Sequence, residues 1–95
     1  MMDEIERTVR LPARADPLEH YGRNYAFSGA GQVVAVYYTP SDDRGRALYA
    51  VAGERRWHDW EGELPFIMDG GCSIVHITYD IATQHILSVS CNGEA

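Results

Sequence analysis

Apolar and polar residues alternate most regularly near the C-terminal end, and the pattern predicts a β-hairpin. Along Cys72 to Tyr79 the odd positions Val75, Ile77 and Tyr79 are apolar, while Ile74, His76 and Thr78 are mixed. Along His85 to Cys91, Leu87, Val89 and Cys91 alternate with Ser88 and Ser90. A period of two puts each set on one face, and facing strands bury both odd sets only when paired residue numbers sum to an even value. The expected pairs are Ser73 with Cys91, Val75 with Val89, Ile77 with Leu87 and Tyr79 with His85, with residues 80–84 closing the loop. In that register Cys91 faces the core and Cys72 the opposite side, and thiols that face apart do not bridge. The expectation is two free thiols, in keeping with a reducing, cytosolic location.

Upstream, Gln32 to Thr39 is dense in Val and Tyr and predicts a strand that is at least half buried. The polar stretch Pro40 to Gly45 reads as a hairpin loop, Ala47 to Ala52 as the returning strand, and Arg55 to Trp60 as a further strand. Pro65 forbids a central strand over Glu61 to Met68, which predicts a loop with one helical turn. Asp69-Gly70-Gly71 and Ser28-Gly29-Ala30-Gly31 read as turns. Asp16 to Gly22 carries a helix start in Asp16-Pro17, Glu19 in the first turn and Gly22 as a stop, so a short helix is expected there. Ile5, Val9 and Leu11 fit an edge strand or a helical turn and a half, and their β-branched neighbours favour the strand. The reading is one mainly β domain over residues 1–95, with a less regular segment 1–30 packed on a β-rich core 31–95. A single antiparallel sheet of about four to six strands with one short N-terminal helix is expected, with α+β as the alternative.

The charge changes this picture only by its placement. Of 14 acidic and 8 basic residues, residues 57–95 hold Asp59, Glu61, Glu63, Asp69, Asp80 and Glu94 and no Arg or Lys. The remaining eight acids and eight Arg cancel, so residues 57–95 carry the whole net charge of −6. Repulsion from phosphates argues against nucleic acid as a partner there, and a cationic protein surface would be attracted. No apolar run approaches the roughly 18 residues of a membrane span. The acidic start of the chain lacks the pattern of a secretory signal, which points to the cytoplasm.

Candidate chemistry is sparse. Cys72 and His76 would share a strand face roughly 13 Å apart, too far for an imidazole to activate a thiol. His20, His58, His76 and His85 lack metal-ligand spacing, so neither metal nor cofactor is expected. Gly29-Ala30-Gly31 precedes a strand, where a dinucleotide loop would follow one. The segment Trp57, His58, Asp59, Trp60, Glu61 and Glu63 joins aromatic area to acidic charge and is the candidate binding edge for a cationic protein. Its structural reading is one Trp closing the core and the other on the surface. The expected function is a small acidic protein-binding module, in the narrower form an immunity or inhibitor-type protein. The alternative is a small-ligand binder or enzyme with a pocket near Trp57–Trp60 and Cys72. A homodimer through sheet edges or the Trp segment is compatible with either.

Overall fold

The computed structural model describes residues 1–29, 31–66 and 70–92; of the two expected turns above, Ala30 and Asp69 lie outside these, as do Ile67 and Met68. The protein is mainly β: one five-stranded sheet in the order β3-β1-β2-β4-β5. The strands are β1 (Gly22–Ser28), β2 (Gln32–Tyr38), β3 (Arg55–Trp57), β4 (Val75–Asp80) and β5 (His85–Cys91). All neighbours are antiparallel except β1 and β3. Among the described residues the other elements are two short helices, α1 (Met2–Thr8) and α2 (Asp43–Leu48), and single 3-10 turns at Leu18–His20, Glu61–Glu63 and Gly71–Ser73.

The segment around Ile5 is a helix where a strand was expected. Asp3 and Glu4 stand in its first turn and Arg7 in its last, matching the helix dipole, and the Thr8 hydroxyl donates to the Glu4 carbonyl at 2.7 Å. Ile5 is its one buried side chain. The helix expected near Pro17 shrinks to the 3-10 turn Leu18–His20, because the chain is already extended at Tyr21 and enters β1 at Gly22.

The returning strand expected at Ala47 to Ala52 does not form. Asp42 caps α2 instead, its side chain accepting from the Gly45 N–H at 2.6 Å, and the helix runs to Leu48. The connection from β2 thereby crosses β1, and Ala50 N–H donates to Asn24 Oδ1 at 2.9 Å. The next strand, β3, consequently lies beside β1 and parallel to it, pairing Arg23 with Arg55 and Tyr25 with Trp57.

The C-terminal hairpin forms, in a different register. Val75 pairs with Cys91, Ile77 with Val89 and Thr78 with Ser88; the pairing then slips, so that Tyr79 opposes Ile86 and Asp80 opposes His85. Leu87 is the extra residue of this bulge. Ile86 takes the place by the core that Leu87 was expected to fill, and Leu87 is 53% exposed.

The two cysteines are bonded to each other, contrary to the expectation of free thiols. Cys91 is buried as expected, but Cys72 is not on the strand. Gly70, at φ 112°, turns the chain into the 3-10 turn Gly71–Ser73, a backbone shape open to glycine, and β4 starts only at Val75. Asn92 N–H, just past β5, is held by the carbonyls of Gly71 and Ile74 at 3.1 and 2.9 Å. Cys72 is thereby curled back until its Cα lies 4.5 Å from that of Cys91. Cys72 and Ser73, expected to extend the strand, turn instead, and Cys72 leaves the face that strand alternation assigned to it.

The main core covers one face of the sheet with Tyr25, Val33, Ala35, Tyr37, Val75, Ile77 and Tyr79. Ile5 of α1 plugs it, and carboxylates of the same helix meet the tyrosine hydroxyls beneath. Tyr25 donates to Glu6 at 2.6 Å and shares a 2.7 Å bond with Tyr37, and Tyr79 donates to Glu4 at 3.3 Å. Burial, and to a smaller degree Glu6, push the Tyr25 hydroxyl pKa far up, so it stays a donor. Arg23 ion-pairs with Glu6 at 3.3 Å, and Arg55 binds Asp3.

Candidate functional site

The acidic aromatic segment begins where β3 ends, and its first two residues are structural. The parallel register sets Trp57 on the face of Tyr25, with rings stacked 6.3 Å apart and 7° from coplanar. Phe27 meets the indole edge-on at 4.6 Å. Trp57 thus closes the main core at its β3 end.

His58, one residue on, points to the opposite face and is buried. Its backbone N–H donates to the Tyr25 carbonyl at 2.7 Å, and its Nε2 lies 2.9 Å from Asn24 Oδ1. That oxygen also accepts from Ala50 N–H, while Asn24 Nδ2 donates to the Val36 carbonyl at 3.2 Å. An amide oxygen only accepts, so Nε2 carries the proton; the tautomer is assigned from this network. Burial, then Arg56, holds the imidazole below its ordinary 6.5, against an opposing pull from Glu63 and Asp59. His58 therefore ties the α2 connection to the sheet as a neutral ring.

Asp59, Trp60, Glu61 and Glu63 all stand exposed. The Glu63 carboxylate accepts from Asp59 N–H at 2.8 Å and closes the 3-10 turn Glu61–Glu63 on itself. Trp60, 62% exposed, folds its indole over Gly62, where a Cβ would lie 2.1 Å from Cη2. Only glycine leaves room for that ring. Leu64 and Pro65 then dive onto the sheet, where Leu64 packs with Ala26, Val36 and Ile74. Phe66 emerges again at 84% exposure.

This docking leaves a groove of about 410 Å³ on the second face of the sheet. Val34 and Val36 of β2 and His76 and Thr78 of β4 make its floor, Leu64 to Phe66 one wall, and Glu61 its acidic rim. His76 Nε2 lies 3.3 Å from Asn92 Oδ1. Volume and lining fit a site that takes an apolar anchor and orients it by a few polar groups.

Of the six residues expected at the binding edge, four share this exposed segment and two support it from within. Phe66, Val34, His76 and Thr78 were not anticipated. One signal was present: β2 reads Val33 to Tyr38 without a polar break, as strands do when both faces need cover. Cys72, offered as a thiol for a pocket chemistry, is in the disulfide, and its carbonyl accepts from the Tyr21 hydroxyl at 2.5 Å. Among the described residues no helix is long and apolar enough to cross a membrane. No family model, curated protein or solved structure matches the chain.

Proposed function

We propose that this chain is a protein-binding module whose groove and acidic rim receive a cationic segment of a protein partner. The observation that carries the reading is the apolar groove lined by exposed Phe66 and rimmed by Glu61, with Asp59, Trp60 and Glu63 exposed on the same short segment. Two exposed aromatics supply desolvated anchor area, and the carboxylates steer and select positive charge. The narrower role is that of an inhibitor or immunity-type protein, which masks a cationic enzyme surface by contact alone. The small-ligand alternative keeps the groove but loses Cys72 as a nucleophile. The Cys72–Cys91 bridge favours an oxidising compartment over the cytoplasm, since disulfides persist mainly there.

The test is a titration of the labelled protein with an extended peptide carrying one aromatic anchor flanked by Arg, followed by NMR. The expected shifts fall on Gly62, Phe66 and His76, fade at high salt, and weaken on Glu61→Arg and Glu63→Arg. Equal binding of the same peptide with Glu in place of Arg defeats the proposal.

A further inference from the structure

The two edges of the sheet are built differently. At one, β3 has three residues, two of them Arg, and both are tied down, Arg55 to Asp3 and Arg56 to the Ala47 carbonyl at 3.0 Å. Short, charged edges of this kind resist further strand pairing. At the other, β5 runs seven residues, His-Ile-Leu-Ser-Val-Ser-Cys, with neither Pro nor any Arg, Lys, Asp or Glu. Every second residue of such a strand points both its N–H and its C=O away from β4.

We infer that β5 is the seam of a homodimer, in which two copies pair their β5 strands antiparallel about Ser88 and join their sheets into one of ten strands. The surface is distinct from the groove and does not depend on it. Three observations select a second copy of this chain as the occupant. First, β5 is self-complementary about Ser88: the two-fold axis sets Leu87 against Val89 of the partner subunit and Ser88 against Ser88 of the partner subunit, apolar on apolar and hydroxyl on hydroxyl. Second, the bulge leaves Leu87 half in solvent without a partner on β4, and pairing across the axis covers it. Third, the strand carries no carboxylate to draw in a cationic segment, and antiparallel pairing keeps the acids apart. Asp80, opposite His85, sits at one end of the seam, so the two copies of it lie roughly 20 Å apart along the strands alone, beyond a screening length of about 8–10 Å. Parallel pairing would bring them together and would not close.

Sedimentation velocity over a range of concentrations, with variants at exposed seam positions, tests this. The expected result is a monomer–dimer equilibrium that Leu87→Lys weakens by at least about tenfold, by burying a charge on each side. Trp60→Ser, on the groove side, leaves the equilibrium unchanged. Under mild oxidation Ser88→Cys links two chains readily, while Ser90→Cys, roughly 13 Å from its symmetry mate, does not. A monomer at every concentration, a dimer indifferent to Leu87→Lys, or linking no faster at Ser88→Cys than at Ser90→Cys overturns the inference. So does a monomer that takes up a separate extended peptide along β5. Loss of peptide binding in the groove, with the dimer intact, refutes the proposed function and leaves this seam standing.

Discussion

The two faces of this sheet draw on similar strands and end differently. Along β2, Val33, Ala35 and Tyr37 point one way and Val34, Val36 and Tyr38 the other, so both sides ask for cover. The first side receives a helix, with Ile5 in the core and carboxylates placed over the hydroxyls of Tyr25 and Tyr79. Among the described residues, the second receives the Asn24–His58 knot with Tyr49 at one end and Leu64, Pro65 and Ile74 in the middle, and a groove lies beside them. A face whose large residues end in hydroxyls needs a polar lid as well as an apolar plug. A face floored by valines can stand partly open, and an apolar patch left open beside charges is where a partner adds area.

Cavities should therefore cost far more on the closed side. Ile77→Ala is expected to lose about 2–5 kcal/mol in urea unfolding, since the surrounding side chains relax only in part. Breaking the Cys72–Cys91 bridge by Cys72→Ser with Cys91→Ser should cost roughly 3 kcal/mol for its loop of 19 residues of separation, with reductant reproducing the loss in the unmutated protein. Unchanged midpoints with and without reductant would remove the bridge from the account.

The His58 knot gives the comparison a pH signature. The folded ring has its pKa held below 6.5, so the unfolded chain binds more protons once the pH drops below that value. Stability is fully present above about 6.5 and declines on acidification toward the lowered folded pKa. His58→Gln should flatten that part of the profile; a slope identical in the variant would show the ring to be free of the effect. The smallest stability change is expected at the open groove, where Phe66→Ala shifts the unfolding free energy by no more than about 0.5 kcal/mol. The same change should strip the groove of its peptide, so binding and stability separate on this face and not on the other.

Some of this was written locally. The Val and Tyr density of residues 32–38 and the alternation after Val75 mark strands because side-chain period is a property of a few consecutive residues. The acidic start and Arg7 end of α1 are equally local signals that the strand expectation for Ile5, Val9 and Leu11 left out. The exposed acids at Asp59, Glu61 and Glu63 and the split roles of Trp57 and Trp60 were likewise readable, since charge seeks water and one indole sufficed to close the core.

By itself, then, the sequence determined a mainly β chain, its strongest strands, and an acidic C-terminal part with an aromatic segment at its head. Tertiary structure alone decided that β3 would lie parallel to β1, that the hairpin would slip at Leu87, that Cys72 would meet Cys91, and that Val34 and His76 would floor one groove. The reason is physical: alternation reports which way a side chain points, whereas partners, registers and cavities depend on where distant segments stop extending and turn.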